Sequence, residues 1–161
     1  MKPAGCPLLA AGFLIMNPYV SIIIPVLADA EAAAQLVGQI DRDDPVEVIV
    51  ADGGADPMLD GLGTRPKVRL LRAPRGRARQ MNAGAASATG DWLLFLHADS
   101  RLPADWIRYL RHVPLDAVGG WFRFALDDAA WQARVIERGV AWRVRLFGLP
   151  YGDQGLFVRR D

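Results

Sequence analysis

The 161-residue sequence has a single cysteine, Cys6, and almost no net charge. One cysteine excludes an internal disulfide framework and any zinc or iron–sulfur site built from several cysteines. Nineteen Lys and Arg residues against eighteen Asp and Glu residues give a formal net charge of +1. So small a charge argues against a protein that coats nucleic acid. The scarcity of cysteine is typical of a reducing compartment and predicts a cytoplasmic location.

Long apolar runs are also missing near the amino terminus. The run from Leu8 to Met16 is far shorter than the roughly 20 residues that span a bilayer. No small-x-small cleavage site follows it, so it is a poor signal peptide. We expect residues 1–15 to be a leader or an extension and residues 16–161 to form the domain.

Strand and helix patterns alternate along the rest of the chain, which predicts an α/β domain with a mostly parallel sheet flanked by helices. The segment between Ala51 and Lys67 is rich in Gly, Asp and Pro and is predicted as a loop. The predicted strands are Val20–Val26, Val46–Ala51, Val68–Leu71, Trp92–Leu96, Val118–Leu126 and Gly155–Arg159. The predicted helices are Ala30–Ile40, Gly76–Ala88, Pro103–His112 and Trp131–Phe147.

Two aromatic features admit more than one interpretation. On the predicted helix Trp131–Phe147, an apolar stripe is surrounded by arginines, which suits a membrane-surface helix or a lid over an acceptor. The stripe is Trp131, Val135, Trp142 and Leu146, and the arginines are Arg134, Arg138, Arg143 and Arg145. Ordinary core packing is the more common cause of such a stripe, and we favour it. The Gly119-Gly120-Trp121 segment could place an aromatic ring against a sugar, or could simply pack within the sheet.

Charged side chains follow the carboxyl ends of the predicted parallel strands, which is where open α/β sheets bind ligands. A carboxylate with an imidazole can hold a divalent metal. Arginines at a helix N-terminus can hold phosphates, because the helix dipole adds to their charge. Together these groups suggest a nucleoside diphosphate bound with a metal. They are Asp29 after the first strand, Asp52-Gly53-Gly54 after the second, Arg72, Arg75, Arg77 and Arg79 after the third, and His97 and Asp99 after the fourth.

Each group taken alone has a simpler interpretation. Asp52-Gly53-Gly54 could be an ordinary turn, the arginines a solvated face or an RNA-binding strip, and His97 a buried, hydrogen-bonded histidine. A ligand site is favoured because all of them follow successive strands. A dinucleotide-binding G-x-G-x-x-G motif is absent after the first strand, and no P-loop motif occurs in the sequence.

Four segments resemble family 2 glycosyltransferases with the GT-A fold: SIIIPVLADAEA, EVIVADGGADP, RGRARQMNAGAASATGDWLLFLHADS and YGDQGLFVRR. More narrowly, they resemble the bacterial radical-SAM/selenodomain-associated group, some members of which are linked to arsenosugar biosynthesis. The resemblance extends from about Tyr19 to Asp161. It implies a GT-A sheet and transfer of a sugar from a nucleotide-diphosphate donor, usually with inversion and with Mg²⁺ or Mn²⁺.

The resemblance also implies roles for particular residues. At the D-x-D metal position of the family, a histidine replaces the first aspartate and the second is retained. The acceptor can be a small molecule, a lipid or a glycan, so peripheral membrane contact is open, and no nucleic-acid partner is expected. The implied nucleotide-sugar-binding residues are Pro25, Asp29, Asp52 and Arg77, and the implied metal ligands are His97 and Asp99.

The usual catalytic base of the family is the aspartate of a Glu-Asp pair downstream of the GDQGLFVRR segment. Asp153 is the candidate base within this sequence, and we expect the domain to be incomplete at its carboxyl end. An alternative is therefore a truncated or degenerate nucleotide-sugar-binding module without transfer activity. A nucleotidyltransferase is a further alternative, although the Gly-rich basic loop typical of that class does not follow the first strand.

Overall fold

Strands and helices alternate in a computed structural model that describes residues 19–40, 44–114, 116–126, 130–148, 150 and 155–160. The predicted leader, residues 1–15, and the candidate base Asp153 lie outside the described residues. The strands are β1 (Val20–Val26), β2 (Val46–Asp52), β3 (Val68–Arg72), β4 (Trp92–Phe95), β5 (Gly119–Trp121) and β6 (Leu156–Arg159). The helices are α1 (Ala30–Gln39), α2 (Arg77–Ser87), α3 (Trp106–Arg111) and α4 (Trp131–Phe147), with a 3₁₀ helix at Pro57–Thr64.

These six strands form one mixed sheet in the order β3-β2-β1-β4-β6-β5. The pairs β2–β3, β1–β2 and β1–β4 are parallel, whereas β6 runs antiparallel to both β4 and β5. The mostly parallel α/β sheet predicted from the sequence is thereby confirmed. The central strand β1 is apolar on both faces because helices cover both sides of the sheet.

Successive residues of β1 point to opposite faces of the sheet and enter two different apolar clusters. Ile22 and Ile24 belong to the larger cluster, which includes residues of α1, α3 and the 3₁₀ helix. Ile23 belongs to the smaller cluster beside α2, together with Ile49 and Leu93. The sheet therefore has a helix layer on each face.

The segment predicted as a loop contains the 3₁₀ helix. Asp56 caps it by accepting a hydrogen bond from the Met58 backbone N–H at 2.9 Å. Leu59 and Leu62, three residues apart, are both buried against the core. The sequence prediction was wrong here because abundant Gly, Asp and Pro outweighed two leucines at helical spacing.

Two other expectations need correction. The strand predicted at Val118–Leu126 is confirmed as an antiparallel edge strand but is only three residues long. The core-packing interpretation of α4 is wrong, because Ala133 is the one residue of this helix that is fully buried. Trp131 and Trp142 are 71% and 65% exposed.

Gly84 marks a close contact between α2 and β1 that yields a stability prediction. A Cβ added to Gly84 would lie 2.5 Å from Cγ2 of Ile23. We expect Gly84→Ala to lower the free energy of unfolding by about 1–3 kcal/mol, since the core must shift to admit a methyl group. Urea denaturation would measure the loss.

Gly38 of α1 provides the matched control, because a Cβ there meets nothing within 4 Å. Gly38→Ala should raise the free energy of unfolding by roughly 0.5–1 kcal/mol through helix propensity alone. Equal effects of the two substitutions would show that the α2–β1 contact is looser than described.

Candidate active site

The strand order reverses beside β1, and the candidate site lies at this reversal. From β1 the chain adds β2 and then β3 on one side, and after α2 it returns to add β4 on the other side of β1. The carboxyl ends of β1, β2 and β4 meet at this switch point, where doubly wound sheets leave a crevice for ligands. The residues singled out in the sequence after these three strands therefore share one edge of the sheet.

The loops after β1 and β2 touch each other. The backbone N–H of Gly53 donates to the carbonyl of Val26 at 2.9 Å. A Cβ added to Gly54 would come within 2.4 Å of the carbonyl oxygen of Leu27, which is backbone and cannot swing away. Gly54 is thus needed for close approach of the two loops, which form one rim.

Asp52 is buried and holds this rim from inside. Its Oδ1 accepts a hydrogen bond from the N–H of Gly54 at 2.7 Å, and its Oδ2 accepts one from the N–H of Asp56 at 3.0 Å. Oδ2 also forms an ion pair with Arg72. The ordinary-turn interpretation of Asp52-Gly53-Gly54 therefore describes the local structure, and the carboxylate shapes the turn.

Arg72 is one of the four arginines proposed from the sequence as phosphate ligands, but in the structure its side chain binds two carboxylates of the protein. Its guanidinium bridges Asp52 and Asp60 of the 3₁₀ helix. These contacts tie the 3₁₀ helix to the end of β2. The remaining arginines of this segment, Arg75 and the α2 residues Arg77 and Arg79, are exposed.

Gln80 is a site residue that sequence reasoning missed. Its side chain is buried, and its Nε2 donates to the carbonyls of Val26 at 2.6 Å and Ala51 at 2.8 Å. The amide thus joins the ends of β1 and β2 to the first turn of α2. No signal in the sequence distinguished Gln80 from an exposed polar residue of an amphipathic helix.

Arg77 is the first residue of α2, directly after Gly76 with φ +130°. The first turn of α2 contains two arginines and no acidic residue. Cations at this position are opposed by the positive end of the helix dipole. A bound anion would relieve that repulsion, so the start of α2 is electrostatically suited to a phosphate.

Pro25 and Asp29 occupy the β1 side of the rim. Pro25 is half-buried within the strand, opposite Ala51 of β2. Asp29 is exposed at the start of α1, where its carbonyl accepts the N–H of Ala33 and its side chain makes no capping bond. The Asp29 side chain is thereby left exposed to solvent at the start of α1.

His97 and Asp99 follow β4 in a tight turn, in which the N–H of Ser100 donates to the His97 carbonyl at 3.1 Å. Nδ1 of His97 lies 3.9 Å from Oδ1 of Asp99, and the carboxylate is 83% exposed. Among the described residues, no group of three His, Cys, Asp or Glu side chains could hold a metal. His97 and Asp99 are enough to hold a Mg²⁺ or Mn²⁺ ion that also binds phosphates of a substrate, because such ions commonly take only one or two protein ligands.

Fold and sequence agree on the class of protein. Residues 21–143 match the model of the family described as Glycosyl transferase family 2, and the chain belongs to this family. Among curated relatives, the PGL/p-HBAD biosynthesis glycosyltransferases of Mycobacterium tuberculosis and Mycobacterium bovis are 32% identical to it. The match covers 83% of this chain and 63% of the relatives, so the chain spans less than two thirds of their length.

Solved structures show that the fold is that of GT-A glycosyltransferases. The mannosyltransferase of Pyrobaculum calidifontis, in complex with GDP-Man and Mn²⁺, aligns with a TM-score of 0.65 at 19% identity. The alignment covers 89% of this chain and 45% of that one. Glucosyl-3-phosphoglycerate synthase of Mycobacterium tuberculosis, in complex with Mn²⁺, UDP and glucosyl-3-phosphoglycerate, aligns with a TM-score of 0.60 at 17% identity. That alignment covers 99% of this chain and 63% of the synthase.

In the part of the chain that the structure describes, no helix is both long and apolar enough to cross a bilayer. The 17-residue helix α4 carries five charged side chains, which accounts for its low mean hydropathy.

Proposed function

We propose that this chain binds a nucleotide-diphosphate sugar with a divalent metal and transfers the sugar to an acceptor hydroxyl. The observation that carries the proposal is the convergence of three chemical groups at one switch point. An exposed carboxylate beside an imidazole, an arginine-bearing helix start and a glycine turn all lie at the carboxyl ends of β1, β2 and β4. Membership of the glycosyltransferase family supports this assignment.

The donor nucleotide is assigned to the rim formed by the loops after β1 and β2. Pro25 shapes the β1 end, and Asp29 offers an exposed carboxylate to hydroxyl groups of the nucleoside. The Asp52 carboxylate is buried and accepts hydrogen bonds from the N–H groups of Gly54 and Asp56. Its proposed role is therefore to hold the Gly53-Gly54 turn in place. The direct contact of Asp52 with base or ribose, implied by the family resemblance, stays a prediction.

The diphosphate is assigned to the space between Arg77 and the His97–Asp99 turn. Arg77 would stabilise the negative charge that grows on the leaving nucleoside diphosphate as the bond between the anomeric carbon and the phosphate oxygen breaks. His97 and Asp99 would hold Mg²⁺ or Mn²⁺, which supplies further charge neutralisation at the phosphates when bound. The pair can serve as ligands because the Asp99 carboxylate faces solvent and imidazole nitrogen binds such ions.

The transfer step requires a base to take the proton of the acceptor hydroxyl as it attacks the anomeric carbon. We propose inversion at that carbon, and Asp153 as the candidate base within this sequence. The four motif segments also support a place in the radical-SAM/selenodomain-associated group of transferases. We further propose that the protein acts in the cytoplasm on a small-molecule, lipid or glycan acceptor.

Calorimetric titration of nucleoside diphosphates, with and without Mn²⁺, tests the donor site. We expect one base to bind more tightly in the presence of Mn²⁺. Asp99→Asn should weaken that metal-dependent binding by at least about tenfold, the loss typical even of outer partners of metal ligands. Arg77→Gln should weaken binding both with and without the metal, because its charge acts on the phosphates directly.

Asp105→Asn is the matched control, since Asp105 is an exposed carboxylate at the start of α3 whose side chain makes no capping bond. It should leave nucleotide affinity unchanged. Failure of a folded sample to bind any nucleoside diphosphate would overturn the donor site. Tight donor binding without release of sugar to any supplied acceptor would favour the binding-module alternative.

A further inference from the structure

Helix α4 has two apolar faces, and only one of them packs against the protein. Its inward face is formed by residues spaced three and four apart, of which Ala133 is buried and the others are half-buried. The opposite face carries four exposed apolar side chains, which we call the outward strip, whereas Ile136 and Phe147 are exposed but lie off this face. The inward residues are Ala133, Glu137, Val140 and Val144. The outward strip is Trp131, Val135, Trp142 and Leu146, which are 71%, 55%, 65% and 62% exposed.

This strip is bordered by positive charge. At 1.5 Å per residue it extends for about 22 Å along the helix. Arg138 and Arg145 are exposed along one border of the strip, next to the tryptophans in the helical projection. Arg134 lies on the same border but is paired with Glu137 at 2.8 Å. The surface that would cover the strip must therefore accept apolar rings and supply negative charge.

The helix is joined to the sheet at the same edge as the candidate active site. Trp121, the last residue of β5, pairs with Leu156, the first residue of β6. Leu156 also pairs with Phe95, the last residue of β4, two residues before His97. The chain therefore leaves the sheet at the carboxyl end of β5, forms α4, and re-enters the sheet at the amino end of β6. Both of these strand ends lie on the same side of the sheet as the carboxyl end of β4.

We propose that the outward strip of α4 docks the protein on the surface of an anionic lipid bilayer. Tryptophan and leucine side chains on one helix face, bordered by arginines, are the pattern of helices that lie in the plane of the bilayer interface. Indole rings are well suited to that depth, because they are apolar with one polar N–H group. The arginines would be attracted by anionic headgroups while the strip enters the acyl boundary.

A second copy of this chain fits the strip less well. The only acidic residue of α4 is Glu137, and it points inward, where it accepts the N–H of Leu126 at 2.9 Å as well as pairing with Arg134. Two such helices would bring arginines together without any carboxylate to balance them. Charge complementarity therefore favours a partner surface with negative charge of its own.

Sedimentation with lipid vesicles tests the proposal on the whole chain, without nucleotide. We expect the protein to bind phosphatidylcholine vesicles that contain a third of phosphatidylglycerol, and to bind pure phosphatidylcholine much less. Replacing Arg138 and Arg145 with glutamine should lower the partition coefficient roughly 30-fold, about fivefold for each charge. Trp131→Ala combined with Trp142→Ala should lower it by about tenfold or more, through lost apolar burial.

Helix α3 supplies matched controls away from the strip. Arg108→Gln with Arg111→Gln removes two exposed charges, and Tyr109→Ala removes an exposed aromatic ring. These variants should bind vesicles like the unaltered protein. Circular dichroism would establish that the α4 variants are folded, as expected for substitutions of exposed side chains.

Several results would overturn docking by the strip. They are absence of binding to anionic vesicles, equal losses from the α3 and α4 variants, and binding that high salt does not weaken. Self-association that disappears in the tryptophan variant, without vesicle binding, would assign the strip to a second copy instead. None of these outcomes depends on whether a nucleotide binds.

Discussion

Asp52→Ala is expected to lower the free energy of unfolding by about 2–4 kcal/mol, because it removes an acceptor that three donors share. The N–H groups of Gly54 and Asp56 would lose their partner, and Arg72 would keep only its exposed contact with Asp60. The Asp52 side chain has no solvent exposure, so water cannot take its place without opening the turn. Chemical denaturation would measure the loss.

The same substitution should weaken nucleotide binding, because the turn that Asp52 holds forms half of the rim. Asp60→Ala separates the roles of the two acidic partners of Arg72. The Asp60 side chain is 61% exposed, and its removal should cost less than about 1 kcal/mol. If the two alanine variants were equally stable, Asp52 would not be the anchor of the rim.

A second large effect is expected at the opposite edge of the sheet, at Glu47. Its buried Oε1 accepts hydrogen bonds from the Ser21 hydroxyl at 2.6 Å and from the N–H and hydroxyl of Thr89 at 2.5 and 2.8 Å. Ser21 Oγ in turn accepts the N–H of Gly90 at 2.8 Å. Glu47→Ala should lower the free energy of unfolding by about 3–5 kcal/mol, because the buried donors of Ser21 and Thr89 would lose their acceptor and face a cavity.

Glu47 also predicts how stability depends on pH. Burial alone would raise the pKa of this carboxyl, but the bonds from Ser21 and Thr89, with the charge of Arg69, outweigh it and leave the pKa below its ordinary value. A carboxyl whose pKa is lowered by folding stabilises the protein above its unfolded pKa of about 4.3. That contribution is lost as the pH falls through the lower, folded pKa.

Denaturation of the unaltered protein and of Glu47→Gln across this acidic range would test the sign. The glutamine keeps an acceptor oxygen but does not titrate, so the acid-induced loss of stability should be smaller in the variant. A loss that is identical in both proteins would show that other carboxyl groups cause it. Glu47 lies at the amino ends of the strands, so nucleotide binding at neutral pH offers an independent check that the variant is folded.

Much of the sheet could be predicted from the sequence because its central strands are buried on both faces. Runs such as VSIIIPV and VEVIVAD have few other stable environments, and their order along the chain predicts a parallel sheet. The common position of Asp52, Arg77 and Asp99 at one edge of the sheet could be predicted from the same order of strands, because the carboxyl ends of parallel strands lie on the same side. These residues could therefore be grouped without any side-chain geometry.

The unpredicted features depend on contacts between distant parts of the chain. Gln80 is buried because two carbonyls at the ends of β1 and β2 need a donor, and its sequence neighbours do not reveal that need. Arg72 turns toward Asp60 because a 3₁₀ helix brings that carboxylate within reach. The direction of α4 was mispredicted because both of its faces are apolar, and helical spacing alone does not tell which face packs.

The position of β6 in the sheet affects the order in which the protein can fold during synthesis. β6 is made after β5 and α4, yet it lies between β4 and β5. Until β6 leaves the ribosome, β5 has no strand to pair with, and one side of β4 exposes free backbone groups. The nascent chain can close the parallel half of the sheet early, but that unpaired side remains open to aggregation until β6 has been synthesised. Shortening the chain before Leu156 should therefore impair solubility more than the loss of four paired residues would suggest.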